Sequence, residues 1–361
     1  MRYRPLLPTL LGLGLTLAAC GEAPTQPDTA PAGTGAGPEL ALASNSWITR
    51  RDMPYERWTL SAAVVHNAAG QSILYAIGGQ TAGGLSLGRV QAYNVATNTW
   101  TWKRDMPVPL YGMNGAAVFN GKIYISGGRT KYDYRTPLAK LYVYDPWRDT
   151  WTRKRDMPAG GTSGVSGFIN GTLYVLTACV QGPETYYEPC PQSNFYSYNR
   201  LTDRWTVLPK PSGAYNVAGV GGVIAGKFYV AGRATPYVGG DEPGRLEVYD
   251  PVTNQWTKKA PPPTPPAVGA AGAVLKGRLY VIGGRRYNRD IEEWENVRTT
   301  LAYNPITNIW TTKAPLPVRD ATKWMGPPTA GAAASAVFPN GQARLELVGG
   351  SLPGNNLQYI P

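Results

Sequence analysis

Two stretches, Trp100-Thr101-Trp102-Lys103-Arg104-Asp105-Met106-Pro107 and Trp151-Thr152-Arg153-Lys154-Arg155-Asp156-Met157-Pro158, differ at a single position, and a third, Trp47-Ile48-Thr49-Arg50-Arg51-Asp52-Met53-Pro54, matches them almost throughout. Working outward from these, tryptophan recurs at Trp47, Trp100, Trp151, Trp205, Trp256 and Trp310, at intervals of 53, 51, 54, 51 and 54 residues. A sustained period of this length marks a chain built from one supersecondary unit used repeatedly. Seven residues before each of the last five tryptophans stands a tyrosine: Tyr93, Tyr144, Tyr198, Tyr249 and Tyr303. The residues between, such as Asn94 to Thr99 and Asp145 to Thr150, have the chemistry of turns that join two strands, and their Asp residues read as structural.

Upstream in each repeat comes an apolar strand that ends in Gly78-Gly79, Gly127-Gly128, Gly283-Gly284 or Gly349-Gly350, a sign of strained backbone or close approach. Before it sits a tight turn, Asn120-Gly121, Asn170-Gly171, Ala225-Gly226, Lys276-Gly277 or Asn340-Gly341, of the kind that closes hairpins. Each repeat therefore reads as four antiparallel strands, and the pattern resembles the kelch repeat over nearly all of residues 46–361. Thr177-Ala178 and Gly232-Arg233 depart from the Gly pair in the third and fourth repeats, which predicts local differences in backbone there. The last repeat has Tyr359 but ends at Pro361, before residue 366 where its Trp would fall, and the N-terminal strand around Trp47 supplies what is missing. The expected fold is all-β: a six-bladed kelch-type β-propeller whose last blade is closed by that N-terminal strand.

Composition agrees, since 43 Gly, 33 Pro, 23 Tyr and 11 Trp against 16% charged residues favour turns and aromatic strands over helices. The formal charge of +12 favours anionic partners, but the basic residues are scattered and no nucleic-acid motif accompanies them, so nucleic acid is not an expected partner. At the start, Arg2 and Arg4 precede an apolar run over 10–18 that is too short to span a bilayer comfortably and ends in Leu17-Ala18-Ala19-Cys20. This resembles a bacterial lipoprotein signal. The resemblance implies that residues 1–19 are removed, that Cys20 carries diacylglycerol, and, with Gly21 rather than Asp next, that the protein is exported to the outer membrane or cell surface rather than the inner membrane. A plain secretory signal with an incidental Cys is the alternative. Residues 20–45, rich in Ala, Pro, Gly and Thr, read as a flexible tether. Cys179 and Cys190 then remain as an even pair in an oxidising compartment, which predicts a disulfide. Two thiols without a nearby His fall short of a zinc site, and no metal or cofactor is expected.

Strand alternation sorts the connections onto two faces. Those between strands one and two and between three and four are short and uniform; those between strands two and three vary, and binding residues concentrate in variable loops on a rigid scaffold. Candidate ligand-binding residues on the variable face are Arg233, Arg285, Arg286, Trp294, Arg319 and Trp324, suited by stacking and charged hydrogen bonds to a glycan or a peptide. The alternative is that Trp58, Trp294 and Trp324 pack the loops themselves. A single histidine, His66, excludes multi-His metal centres and reads as structural. Gly240-Asp241-Glu242-Pro243-Gly244-Arg245, expected in the blade-four loop on the variable face, resembles, at tighter spacing, the catalytic stretch of the six-bladed kelch sialic acid mutarotases. That resemblance implies Glu242 as proton-transfer group and Arg245 as carboxylate clamp. The expected function is a lipid-anchored, monomeric envelope module binding a glycan or protein, with a mutarotase-like enzyme and an architectural envelope protein as alternatives.

Overall fold

The structure, a computed structural model, describes residues 43–81, 83–130, 136–178, 193–212, 219–233, 244–267, 269–288, 293–317, 330–337, 341–350 and 356–361. After β1 (Ser46–Thr49), blade 1 comprises β2 (Ser61–His66), β3 (Ser72–Ile77), β4 (Val90–Asn94) and β5 (Thr99–Lys103). Blade 2 comprises β6 (Ala116–Phe119), β7 (Lys122–Ser126), β8 (Leu141–Asp145) and β9 (Thr150–Lys154). Blade 3 is β10 (Val165–Ile169), β11 (Thr172–Thr177), β12 (Asn194–Asn199) and β13 (Arg204–Leu208), and blade 4 is β14 (Val220–Ile224), β15 (Lys227–Arg233), β16 (Gly244–Asp250) and β17 (Gln255–Lys259). Blade 5 begins with β18 (Ala271–Leu275) and β19 (Arg278–Ile282), is interrupted by a separate hairpin of β20 (Arg285–Asn288) and β21 (Glu293–Asn296), and resumes with β22 (Thr300–Asn304) and β23 (Ile309–Lys313). Blade 6 has β24 (Ala330–Val337), β25 (Ala343–Gly350) and β26 (Asn356–Ile360), and its outer strand is β1. The closure expected from Trp47 is found in register: Ser46 opposes Ile360, Trp47 opposes Tyr359 and Thr49 opposes Leu357.

The repeated Trp and Tyr form one device, used six times. In every blade the third-strand Tyr is buried and opposes the fourth-strand Trp, with ring centroids 4.8–5.4 Å apart. The Tyr hydroxyl donates to the side-chain oxygen of an Asn or Asp in the following turn: Asn98, Asp149, Asp203, Asn254, Asn308 and, for Tyr359, Asn45. Each of these six holds φ between 51° and 56°, the left-handed region that Asn and Asp tolerate best among residues with a Cβ. The Trp indole N–H donates to the carbonyl of the residue four beyond the preceding blade's Trp: Arg51, Arg104, Arg155, Pro209, Ala260 and Ala314 accept in turn from Trp100, Trp151, Trp205, Trp256, Trp310 and Trp47. The N–H of the same residue donates back to the next blade's Asn or Asp in five of the six cases. Pro209 has no N–H, so Asn254 lacks that second donor. The Asp-Met-Pro that follows is structural as well, since Met53, Met106 and Met157 are all buried.

Blades pack face to face through a second tyrosine column in the second strand. Tyr75, Tyr124, Tyr174, Tyr229 and Tyr280 each oppose an Ala or Gly on the innermost strand, which leaves room for the ring. Four of them lie against the third-strand Tyr of the next blade at 5.7–6.2 Å, and Tyr124 lies against Phe168 at 4.9 Å. The Gly pairs have the expected cause: Gly78 has φ 65°, and a Cβ there would stand 2.6 Å from the carbonyl oxygen of Leu110 in the next connection. In blade 3 the buried Thr177 takes the first Gly's place; its hydroxyl accepts the Asn194 N–H, and the space it needs is left by Gly161.

Candidate functional site

The two faces of the ring differ in how their connections are built. On the short-turn face the third-to-fourth-strand turns repeat the Asn or Asp latch blade after blade. The variable face carries the second-to-third-strand loops and the crossings between blades, and there the described residues diverge. Blade 5 inserts the β20–β21 hairpin, which pairs Arg285 with Asn296, Arg286 with Glu295, Tyr287 with Trp294 and Asn288 with Glu293. Arg285, Arg286 and Trp294, singled out in the sequence as loop residues, thus share one ribbon, and Arg286 is exposed. Backbone bonds link successive crossings between blades: Gly112 N–H donates to the Thr59 carbonyl and Ser163 N–H to the Gly112 carbonyl, at 2.9 and 2.7 Å. Thr59, Gly112 and Ser163 all have positive φ, so the three crossings turn in the same backbone conformation.

Around the rim of blades 1 and 2 runs a set of charge pairs. Arg89 lies 5.6 Å over the Trp102 ring and 3.6 Å from Asp105. At the corresponding places in blade 2, Asp156 accepts from Lys140 and Arg153 at 2.8 and 2.9 Å. Partial burial pushes the Asp156 carboxyl up, but these two donors outweigh it and hold its pKa below the ordinary aspartate value. At the crossing from blade 6 to blade 1, Arg57 is fully buried; it donates to the Ala76 carbonyl at 2.9 Å and to the Gln91 side chain. Burial lowers its pKa to about 10, so it remains a cation at neutral pH. Trp58 beside it is also buried, with its backbone bridged to Gln80, so this tryptophan packs its own loop.

Arg245 is not in a loop, as the sequence suggested, but is the second residue of β16, part-buried and opposite Gly232; Arg233 opposes Gly244. The two arginines therefore stand on neighbouring strands in offset register. Glu242, Arg319 and Trp324, the lipidation candidate Cys20 and the pair Cys179 and Cys190 lie outside the described residues. His66 closes β2 and is exposed on the short-turn side, with Ser72 Oγ 3.5 Å from Nδ1.

One cluster escaped the sequence reading altogether. Glu346 occupies in blade 6 the column that holds Tyr in the other five blades, opposite Ala334 and Gln358. It is completely buried; Gln358 Nε2 donates to its Oε1, Arg344 donates to Gln358 Oε1 at 2.7 Å, and Glu346 Oε2 has no hydrogen-bond partner among the described residues. Burial raises its pKa to about 7, against the opposing pull of Gln358, Arg50 and Arg344. The signal is present in the sequence, as a Glu interrupting a tyrosine column, but the repeat is most legible in its Trp, third-strand Tyr and Gly columns.

Comparison with known proteins fits this geometry. The Kelch motif matches residues 67–107, 112–158 and 266–317. Kelch-like protein terF of Aspergillus terreus is 32% identical over 255 residues, which are 66% of this chain and 52% of that protein. Kelch-like protein 23 of Homo sapiens is 24% identical over 276 residues, 76% of this chain and 45% of that protein. The chain spans about half the length of these relatives. Among solved structures, that titled "Structure of YjhT" is similar in fold, with a TM-score of 0.63 at 15% identity over 85% of this chain and 94% of that one. With three motif matches and six four-stranded blades in one ring, the chain is a kelch-repeat protein with the β-propeller fold.

Proposed function

We propose that this protein is an envelope-anchored binding module: a lipid on Cys20 holds it, and the variable face of the propeller engages a protein partner. The observation that carries the reading is the β20–β21 hairpin. It belongs to none of the four-stranded blades, so the ring does not need it, and its register sets the exposed Arg286 opposite Glu295 and places two aromatic positions, Tyr287 and Trp294, opposite one another. Arginine and aromatic residues are enriched among those that dominate interface energies. The test is photo-crosslinking in intact envelopes from position 286. Adducts of discrete mass from that position, weakened by Trp294→Ala, are the expected result. Absence of adducts there while positions on the short-turn face give them would overturn the assignment, and binding on a glycan array that Arg286→Ala abolishes would replace the protein with a glycan.

A second reading, an acidic-sugar mutarotase, draws support from Arg245, whose strand begins at Gly244, two positions after Glu242 in the sequence. It requires that anomer equilibration of N-acetylneuraminate, followed by NMR, be accelerated by the protein and not by Arg245→Ala or Glu242→Gln. No acceleration by the wild type removes it.

A further inference from the structure

We propose that the short-turn face of the propeller is a membrane-contact surface, seated on the headgroups of a bilayer by a row of apolar turn tips. The third-to-fourth-strand turns of blades 2 to 5 present Trp147, Leu201, Val252 and Ile306 at equivalent positions, with exposures of 63, 79, 91 and 93%. Each tip is fixed by its own turn: the Asp145, Asn199, Asp250 and Asn304 side chains accept the N–H of the tip residue at 2.9–3.1 Å. Blade 1 makes the same turn with Ala96, whose N–H is accepted by Asn94, so nothing in the turn itself calls for a large apolar side chain. Equivalent turns of one ring lie at one level, so the four side chains project together toward whatever the face meets.

Charge points to the same occupant. Every carboxylate on these turns is already engaged: Asp145 by Lys122 and Arg148, Asp250 by Lys227, and Asp149 and Asp203 by the Tyr and backbone donors of the latch. Arg204 and Lys276 are exposed and form no ion pair among the described residues, and Arg148 shares Asp145 with Lys122, which leaves the face basic. Apolar tips interleaved with cations are what an anionic lipid interface takes. The chain also enters on this face, because Asn45 is blade 6's counterpart of the turn residues Asn98 and Asn308. If Cys20 carries lipid, only 25 residues of chain, Gly21 to Asn45, separate the anchor from this face, which keeps the face within reach of the bilayer. The proposal rests on the anchoring reading for that proximity, not for the chemistry of the face.

The test uses the full chain, isolated from membranes of a lipoprotein-processing host and reconstituted into phosphatidylcholine/phosphatidylglycerol vesicles whose acyl chains carry bromine, with tryptophan quenching as the readout and the mass of the Cys20 peptide measured in parallel. We expect quenching that falls about twofold or more in Trp147→Phe, is unchanged in Trp102→Phe, and is lost in a Val252→Asp, Ile306→Asp variant of unchanged melting temperature. Lipidated Cys20 without quenching overturns the proposal and leaves the anchor standing. Quenching with an unmodified Cys20 supports the face and removes the anchor. Shielding of Trp147 in native membranes but not in pure lipid vesicles overturns the proposal and gives the face to a protein.

Discussion

Between blades 1 and 2 the seam is aromatic and apolar: Tyr75 lies against Tyr144, and Ile77, Met106, Met113 and Ile123 fill the space around them. Between blades 6 and 1, where the two ends of the chain meet, Glu346 stands in the place of Tyr75, Gln358 in the place of Ala92, and Arg344 and Asn356 are buried alongside. The outer latch is the same at both seams, with Trp100 and Trp151 each bonded to the preceding blade. These two seams are therefore alike at the circumference and different within. The crossing from β1 to β2 links this seam covalently like the others, but β1 joins the rest of blade 6 only by pairing with β26, and it is beside that closure that the protein buries Glu346. A half-satisfied polar cluster costs stability where an aromatic pair would add it.

The largest expected effect lies on the aromatic side. Tyr144→Ala removes a fully buried ring, its contacts with Tyr75 and Trp151 and its bond to Asp149, and should cost about 3–5 kcal/mol in urea denaturation. A loss below ~1.5 kcal/mol would mean that the tyrosine columns do not hold the blades together.

Next comes the closing seam itself. Glu346 has its pKa raised from 4.5 to about 7, so the folded state holds this proton more tightly than the unfolded chain. The stability it contributes is fully present below pH 4.5 and is lost as pH rises through about 7. Glu346→Gln removes the titration, so the variant should exceed the wild type by about 3 kcal/mol at pH 8 and match it near pH 4.5. An equal difference at both pH values would show that the carboxyl is not desolvated. Arg50 and Arg344 are the charged groups acting on it, and a deeper pairing with either would flatten the profile.

The smallest effect tests the latch. Asn308 accepts both the Tyr303 hydroxyl and the Ala260 N–H, whereas Asn254, deprived by Pro209, accepts only the Tyr249 hydroxyl. Both sit at φ 56°, so the backbone strain of an Ala substitution cancels in the comparison. Asn308→Ala should cost about 1 kcal/mol more than Asn254→Ala, the worth of one hydrogen bond. Equal losses would mean that the inter-blade N–H contributes nothing measurable.

What the sequence made plain was the device used in every blade. Trp, third-strand Tyr and the turn between them keep their spacing because each bonds to the neighbouring blade, so a shift of one residue would break two contacts, and Trp47 could be assigned to blade 6 for the same reason. The β20–β21 hairpin was not foreseen, since Arg285 to Asn296 lacks both a hairpin dipeptide and a clean apolar alternation. Arg245 was assigned to a loop because Pro243-Gly244 reads as a turn, yet pairing with β15 begins at Gly244 itself. Of the candidate site, exposed residues such as Arg286 could be named in advance, but their neighbours depend on loop conformation that no repeat constrains. Glu346 is marked in the sequence by its place in a tyrosine column, whereas nothing there marks Arg57, a charged residue of a type expected outside and shown inside only by its tertiary contacts.

Which face the tether leaves, and whether the ring is a ring at all, both follow from β1 pairing with β26. Hydrogen exchange at residues 46–49 and 356–360, corrected for intrinsic rates, reads that pairing directly. At pH 5 these amides should be as protected as those of β4 and β8, and at pH 8 their protection should fall while that of β4 and β8 holds. Fast exchange of residues 46–49 at both pH values, with β4 and β8 protected, would contradict closure by the N-terminal strand.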